Sequence, residues 1–260
     1  MYTEYWQLER KPFENTPDPE FFYPSAEHEE ALDRFLYLME GRMGAGMLTG
    51  EYGSGKTTMV RVLRERLDLD QYRMAYLDYP RFSSNGFLEE ILYQLGEDPE
   101  GDNLDCRHRL GDIFYETSEA GGHTLVIVDE AQVIPDESAL EELRLLLNFQ
   151  LEDASLVTLL LVGQPEFRER VRKSPQLDQR ITVRYHLHNF DLDGTRAYIK
   201  HRLERAGAKN SLFTDAAVET IYRNTLGTPR RINNVCDLCL FTGARQGVKQ
   251  IGDEIVRMVG

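Results

Sequence analysis

The sequence lacks the features that mark several classes of protein. Its 260 residues include three cysteines, Cys106, Cys236 and Cys239, which are too few for a disulfide framework and suit a reducing compartment. No apolar run approaches the roughly 20 residues that span a bilayer, and residues 1–11 mix charged and aromatic side chains where a signal peptide is apolar. Low-complexity tracts and internal repeats are also missing. We therefore expect a folded, cytoplasmic protein.

Basic residues are in deficit. The chain has 44 Asp and Glu against 30 Lys and Arg, a formal net charge of −14. This excess opposes nonspecific attraction to nucleic acid and anionic lipid, because Lys and Arg contacts to phosphate dominate DNA affinity. A local basic surface remains possible, since one predicted helix carries Arg168, Arg170, Arg172 and Lys173. These side chains form either a DNA contact or a solvated helix face.

Cys236 and Cys239 have the CxxC spacing of many zinc sites. Zinc needs four ligands in such a site, and no second Cys or His pair stands at a matching distance in the sequence. We therefore expect the two cysteines to lie on a helix and to pack against neighbouring elements rather than to bind metal.

Short apolar runs alternate with amphipathic stretches from residue 43 to about residue 187. This alternation predicts parallel strands joined by crossover helices. The runs 125–128 and 159–162 are apolar at every position, so helices should cover both faces of the sheet. The predicted strands are 46–49, 73–78, 124–128, 157–162 and 181–187, and the predicted helices between them are 56–67, 86–95, 104–120, 138–149 and 166–173.

The strand pattern stops after Asn189. Thr214 is a good N-cap and Pro229 suits a first helical turn, and the predicted helices here are 193–206, 214–225 and 229–245. Residues 12–24 are rich in Pro and aromatics and should form an extended arm leading into a helix at 26–39. We therefore predict an α/β domain of the three-layer αβα type with a five-stranded parallel sheet over residues 1–188, with an arm over 1–25, and a small all-helical domain over 189–260.

A glycine-rich segment follows the first predicted strand and precedes a helix. It matches GxxxxGK[ST], the Walker A loop, in full and reads Gly50-Glu51-Tyr52-Gly53-Ser54-Gly55-Lys56-Thr57, followed by Thr58. In such a loop backbone N–H groups surround the phosphates, Lys56 bridges phosphate oxygens and Thr57 offers its hydroxyl to Mg²⁺. A glycine-rich turn with an accidental Lys-Thr is the alternative, but strand, loop and helix in register favour binding of ATP with Mg²⁺.

Two acids end the apolar run 125–128, as in a Walker B strand. Asp129 would reach the Mg²⁺ shell and Glu130 would serve as general base for the attacking water. Two solvated acids after a strand are the alternative. The interval between Lys56 and Asp129 leaves room for more than one βα unit, which favours the AAA+ arrangement over simpler kinases.

Three further positions are candidates for the same chemistry. Phosphoryl transfer needs positive charge on the γ-phosphate, often from a neighbouring subunit's arginine, and Arg180 is the first candidate with Arg184 in reserve. Gln164, after a predicted strand, would orient the lytic water or else cap the next helix. Arg230, at the start of a later helix, would reach the nucleotide. Each arginine has the alternative of an ordinary solvated side chain.

Taken together, these segments resemble the AAA+ ATPases of the general secretion pathway protein A (ExeA-like) type, which includes MSHA-pilus and exosortase-locus ATPases. The resemblance covers nearly the whole chain and rests on Pro17-Asp18-Pro19, the loop 50–58, Asp129-Glu130-Ala131-Gln132, Val162-Gly163-Gln164-Pro165-Glu166, Gln179-Arg180-Ile181 and Gly227-Thr228-Pro229-Arg230-Arg231-Ile232-Asn233. It implies that Gln164 is sensor 1, Arg180 the arginine finger and Arg230 sensor 2 on a helical lid. It also implies a nucleotide-dependent ring or filament, because a finger acting in trans requires a head-to-tail interface.

The chain departs from that family in two respects. Members commonly carry Asn-Pro at the end of the second strand, as a switch that restrains the catalytic glutamate, where this chain has Tyr79-Pro80. Secretion members also continue through a membrane helix into a periplasmic cell-wall-binding domain, whereas this sequence contains no apolar run of that length. We therefore expect no membrane anchor within this sequence, and any contact with the inner membrane would be through a partner.

The same core is similar to the TniB-like and TnsC-like ATPase regulators of transposition, which assemble on DNA. The sequence thus predicts an ATPase that oligomerises with nucleotide and remodels or assembles a protein partner of an envelope secretion, pilus or exopolysaccharide system. The net negative charge favours this function over the alternative, a DNA-associated ATPase. A non-enzymatic nucleotide-binding scaffold is the third possibility, and the presence of Glu130 and Arg180 argues against it.

Overall fold

The computed structural model describes residues 2–78, 80–152 and 154–260. Contacts divide the chain into two compact units. The sheet unit comprises Glu29–Glu51 and Leu63–Leu187, and the helical unit comprises Met1–His28, Tyr52–Val62 and His188–Gly260. Within the described residues, no helix is long and apolar enough to cross a membrane.

The described residues form five strands and twelve α-helices. The strands are β1 Ala45–Gly50, β2 Tyr72–Leu77, β3 His123–Val128, β4 Val157–Gly163 and β5 Ile181–Leu187. The helices are α1 Tyr2–Trp6, α2 Ala26–Glu40, α3 Lys56–Arg66, α4 Ser84–Gln94, α5 Asn103–Glu119, α6 Glu137–Leu146, α7 Pro165–Arg172, α8 Pro175–Asp178, α9 Leu192–Arg205, α10 Asp215–Thr225, α11 Pro229–Gln246 and α12 Asp253–Val259. Every predicted strand and helix is present, with ends that differ by at most a few residues.

The sheet is entirely parallel, with the strand order β2-β3-β4-β1-β5. This confirms the predicted α/β class and the five parallel strands. Because the strands are parallel, all of them end at one edge, the carboxyl edge, where α/β proteins bind their ligands. β4 lies between β3 and β1, with Val128 opposite Leu161 and Leu48 opposite Val162. The loops that leave β3, β4 and β1 therefore start side by side.

Both faces of the sheet are covered, as the apolar runs predict. On one face Met47, Val126 and Leu161 pack in a large core with α4, α5 and α6. On the other face α2 lies so close to β1 that a Cβ added at Gly46 would be 2.6 Å from Leu38 Cδ2. All residues of β1, β3 and β4 are buried.

The helical unit has a core of its own, to which α1 and α9–α12 contribute. Trp6 of α1 is buried there and donates its indole N–H to the Leu240 carbonyl at 2.8 Å. Cys236 and Cys239 both pack in this core, and burial raises the pKa of the Cys239 thiol to about 12. These are the packed helix positions that the sequence predicts.

The differences from the predicted elements are short pieces. The predicted arm contains one 3-10 turn, Pro19–Phe21, which Asp18 caps. The helices α1, α8 and α12 are not predicted, because segments of four to seven residues carry too little periodicity. Thr214 caps α10 as predicted, its hydroxyl accepting the Ala217 N–H at 3.2 Å.

Candidate active site

The first acid after β3 is anchored on both of its oxygens. Asp129 is buried, and its backbone N–H extends the ladder to β2 by donating to Leu77 O at 2.8 Å. Its carboxylate accepts the Glu130 N–H at 2.8 Å and the Tyr76 hydroxyl at 3.1 Å. The buried strand and these bonds hold a carboxyl group at the carboxyl edge, and carboxylate oxygens are suitable ligands for Mg²⁺.

Glu130 has left-handed backbone dihedrals, φ 50° and ψ 37°. Such a conformation costs a non-glycine residue on the order of 1 kcal/mol or more and persists where the surroundings impose it. The turn separates the two consecutive acids, since Asp129 bonds to Tyr76 of β2 while Glu130 accepts a hydrogen bond from the side-chain amide of Gln132. The structure therefore gives the two carboxylates different environments, as a metal ligand and a general base require.

Gln164 directly follows β4 and occupies the N-cap position of α7. Its side chain makes no capping hydrogen bond, so the structure shows the N-cap position of the capping alternative without the side-chain bond. Its backbone N–H donates to Gln132 Oε1 at 3.0 Å. Within the sheet unit the structure thus brings together Glu130, Gln132 and Gln164.

Arg180 and Arg184 lie elsewhere in the sheet unit. Arg180 immediately precedes β5, at the amino edge of the sheet, and donates to the Leu147 carbonyl at 2.6 Å. Arg184 lies within β5 and donates to Asp178 Oδ1 at 2.7 Å. A seven-residue strand is about 23 Å long, so the structure does not bring Arg180 to Glu130 of its own chain.

Residues 52–58 of the glycine-rich loop belong to the helical unit. Gly53 and Gly55 have φ of +80° and +100°, which L side chains rarely adopt and which turns successive N–H groups of such a loop towards an anion. Lys56 begins α3 and is buried. The Ser54 hydroxyl is buried without a hydrogen-bond partner among the described residues. An orphaned donor beside these glycines and a buried cation fit the phosphates of a nucleotide.

Arg230 contacts this loop from the start of α11 in the same unit. Its backbone N–H donates to Gly53 O at 3.3 Å, and its guanidinium donates to the Tyr52 hydroxyl at 2.8 Å. The guanidinium carbon lies 5.0 Å from the centre of the Tyr52 ring, a cation–π distance. The fit is so close that a Cβ at Gly53 would lie 2.7 Å from Arg230 Cβ. The ring and hydroxyl compensate a cation at a helix N-terminus, an unfavourable place for positive charge.

Comparisons with known proteins identify the family. A family model described as "AAA domain" matches residues 39–171, half of the chain. The chain belongs to the AAA family. Its five-stranded parallel sheet is that of an AAA+ ATPase, an ATP-hydrolysing enzyme.

One curated relative is the general secretion pathway protein A of Aeromonas hydrophila. It is 36% identical over 256 residues, which are 96% of this chain and 46% of that protein. This confirms the resemblance that the sequence motifs carry. The chain spans about half the length of that relative.

Solved structures confirm the fold. The ORC2 protein of Aeropyrum pernix superposes with a TM-score of 0.70 at 21% identity, covering 96% of this chain and 71% of the other. The Drosophila ORC bound to DNA superposes with a TM-score of 0.73 at 17% identity, covering 98% and 64%. At these identities the likeness is one of fold alone.

Sequence reasoning missed one residue of this site, and one predicted position is not described. Gln132 belongs to the motif Asp129-Glu130-Ala131-Gln132, but sequence reasoning assigns it no role; its spacing of two from the expected base was the signal. The predicted departure at Tyr79 lies outside the described residues.

Proposed function

We propose that this chain assembles with nucleotide and uses ATP hydrolysis to remodel or assemble a protein partner of an envelope secretion, pilus or exopolysaccharide system. The observation that carries the proposal is 36% identity to general secretion pathway protein A over 96% of this chain. The net charge of −14 supports a protein rather than a nucleic acid as the partner. The expected cytoplasmic location stays a prediction.

In this proposal the substrate is ATP, bound through its phosphates by the N–H groups of the loop 50–58 and by Lys56. The Thr57 hydroxyl and the Asp129 carboxylate are assigned as ligands of Mg²⁺, a hard cation that prefers oxygen. In ATPases the protein supplies only a few of these ligands, and water and phosphate oxygens supply the others. The bound cation would neutralise charge that develops on the phosphate oxygens.

Glu130 is assigned as the general base. A water oxygen bonds to the γ-phosphorus as the bond from that phosphorus to the bridging oxygen breaks, the water's proton passes to Glu130, and ADP and phosphate leave. The separate anchoring of Asp129 supports this division of roles, since a metal-bound carboxylate cannot also take the proton. Gln164 is assigned to orient the water.

Arg180 is assigned as an arginine finger that acts on the nucleotide of a neighbouring subunit. Its position at the amino edge of the sheet supports action in trans, since Glu130 lies at the opposite edge of its own sheet. A guanidinium has five N–H donors, and the bond to Leu147 O uses one of them. Arg184 is the second candidate, and its side chain is held by Asp178.

Arg230 is assigned as a sensor of the nucleotide on the helical lid, residues 189–260. Its contacts with Tyr52 and Gly53 support this role, because a cation already seated on the glycine-rich loop needs little movement to reach a phosphate.

A DNA-associated ATPase is the second candidate. The likeness in fold to the Drosophila ORC bound to DNA favours it. Two of the three arginines on α7 are engaged within the chain, which weakens the case for DNA binding. Arg170 donates to Ile134 O at 2.6 Å, and Arg172 pairs with Glu169 at 2.6 Å.

One experiment separates the two functions. Glu130→Gln protein, which should hold ATP without hydrolysing it, is titrated with duplex DNA over a salt series while light scattering records its mass. We expect ATP-dependent assembly with no DNA affinity, which leaves a protein partner as the target. Tight ATP-dependent DNA binding that weakens steeply with salt would replace the envelope function by the DNA-associated one.

A further inference from the structure

The side-chain amide of Gln132 connects the two loops that carry the proposed base and the proposed water-orienting residue. Gln132 lies in the short 3-10 helix Ala131–Val133, which directly follows Glu130. Its Nε2 donates to Glu130 Oε2, and its Oε1 accepts the backbone N–H of Gln164 at 3.0 Å. The amide is partly buried and spans the carboxyl edge from the end of β3 to the end of β4.

The two bonds determine which way the amide points. A backbone N–H is always a donor, so the oxygen of Gln132 must face Gln164 and its NH₂ group must face Glu130. An ionised carboxylate only accepts hydrogen bonds, and the NH₂ group supplies the matching donor. A glutamate here would place oxygen against oxygen at Glu130, and an apolar side chain would make neither bond.

The bond to Gln132 uses one oxygen of the Glu130 carboxylate. The second oxygen is then oriented, because a carboxylate is rigid and planar once one oxygen and the Cγ–Cδ bond are fixed. Fixing the base matters for rate, since a displacement of about 1 Å in a catalytic group can cost on the order of 100-fold. The left-handed backbone at Glu130 fixes the direction in which its side chain leaves the main chain towards Gln132.

We propose that Gln132 is a positioning residue for ATP hydrolysis. Its side-chain amide orients the Glu130 carboxylate and fixes the position of that carboxylate relative to Gln164. The inference rests on the proposed role of Glu130 as general base. It gives this chain a restraint on its glutamate from within the same loop, two residues from the base.

The test uses two substitutions with different chemistry. Gln132→Met keeps the length of the side chain and removes both hydrogen bonds. We expect turnover of ATP to fall by about 10- to 100-fold, with ATP affinity measured by calorimetry and the thermal midpoint both near those of the unmodified protein. Wild-type turnover, or a parallel loss of affinity and thermal midpoint, would overturn the proposal.

Gln132→Glu provides a readout that a merely structural role would not move. The new carboxyl keeps an acceptor for the Gln164 N–H and donates to Glu130 only when it is protonated. Two ionised carboxylates repel, so the variant should keep the bond to Gln164 and lose the one to Glu130, and kcat should fall by about 10- to 100-fold while KM for ATP stays near that of the unmodified protein. An unchanged kcat would contradict the orientation of the amide. This variant also keeps the proposal testable should Gln132→Met not fold.

Glu130→Gln in the same assay separates the two levels of inference. If Glu130→Gln still hydrolyses ATP, the base is another group, and the proposed role of Gln132 is refuted together with it. If Glu130→Gln is inactive and Gln132→Met is fully active, the role of Gln132 alone is refuted. Loss of turnover in both, with ATP affinity retained in both, is the expected result.

Discussion

At the scale of single residues, Glu130 combines a left-handed backbone with a hydrogen bond from a neighbouring amide. We predict that Glu130→Gln retains ATP affinity and loses turnover by at least about 100-fold, because the amide keeps the shape of the side chain but cannot take a proton at neutral pH. Phosphate release and calorimetry measure the two quantities.

Glu137→Gln is the matched control for that substitution. Glu137 is an exposed acid in the first turn of α6, so the same chemical change there should leave turnover within about two-fold, as is usual for surface positions. Comparable losses in both variants would show that the effect does not come from general base catalysis.

The Tyr52–Arg230 pair leads to a second prediction at this scale. Tyr52→Phe removes a hydrogen bond and keeps the ring under the guanidinium, whereas Tyr52→Ala removes both. An exposed cation–π contact is worth about 0.5–1 kcal/mol, so Tyr52→Ala should weaken ATP binding about two- to five-fold and Tyr52→Phe less, by calorimetry.

A double-mutant cycle with Arg230→Ala checks the mechanism of that effect. If Tyr52 acts by holding Arg230, its removal should change nothing further once Arg230 is gone. Fully additive effects would mean that Tyr52 binds nucleotide by itself. Tyr93→Ala, at an exposed tyrosine of α4, is the control for loss of a surface ring.

At the scale of elements, β3 carries a buried histidine at its first position. His123 Nε2 lies 2.8 Å from the Thr158 hydroxyl, which itself donates to the Met43 carbonyl. The imidazole must therefore donate through Nε2, and Nδ1 is buried without a partner among the described residues. Burial, helped by the charge of Arg42, lowers the pKa of His123 to about 4.

This shift makes the free energy of unfolding depend on pH. The folded pKa lies below the unfolded value of about 6.5, so the unfolded chain binds the proton first and stability falls as the pH drops from about 6.5 to about 4. The loss approaches about 3 kcal/mol at the low end. Denaturant unfolding at about pH 7 and pH 5 should show this dependence in the unmodified protein.

Substitution of the histidine identifies its share of the slope. His123→Gln should flatten the dependence on pH, while His108→Gln, at an exposed position of α5, should leave it unchanged. His201 is partly buried and its pKa is also lowered by burial, so a residual slope is expected. An unchanged slope in His123→Gln would contradict the assignment.

The elements also show which parts of the fold were predictable. β3 and β4 contain the apolar runs 125–128 and 159–162, whose lack of alternation identified them as strands buried on both faces. The helices α1 and α8 were missed because five- and four-residue segments have no measurable period. α6 ends at Leu146, before the predicted end at 149, since Leu147 caps it and Phe149 packs edge-on against Phe114.

At the scale of the whole molecule, the proposed arginine finger predicts complementation between subunits. Arg180→Ala alone should lose ATP turnover, because the charge on the γ-phosphate is missing, by about 10³-fold or more as for other arginine fingers. Mixing it with an excess of Glu130→Gln protein, which is inactive but keeps Arg180, should restore turnover at the Arg180→Ala subunits. Phosphate release against mixing ratio is the measurement.

The same mixing series with Arg184→Ala distinguishes the two candidates. Arg184 is held by Asp178 within its own chain, so its loss should not be complemented. Rescue of Arg184→Ala and not of Arg180→Ala would transfer the role to Arg184. Absence of rescue for both at every ratio would count against any finger acting in trans.

The sequence by itself determined the motifs that depend on local order. A glycine-rich loop between a strand and a helix, and two acids after an apolar strand, are contiguous patterns, so Lys56, Asp129 and Glu130 were candidates for ATP binding and hydrolysis without a structure. Gln132 and Tyr52 were visible in the same motifs, but nothing local assigned a function to their side chains.

Only the tertiary structure decided which of these groups meet. Gln132 bonds to Gln164, 32 residues away, because β3 and β4 are neighbours in the sheet, and Arg230 meets Tyr52 across 178 residues. Such pairs depend on strand order and on the close fit at Gly53 rather than on spacing along the chain. Hydrogen bonds act over about 3 Å, a distance that sequence patterns do not encode for residues far apart in the chain.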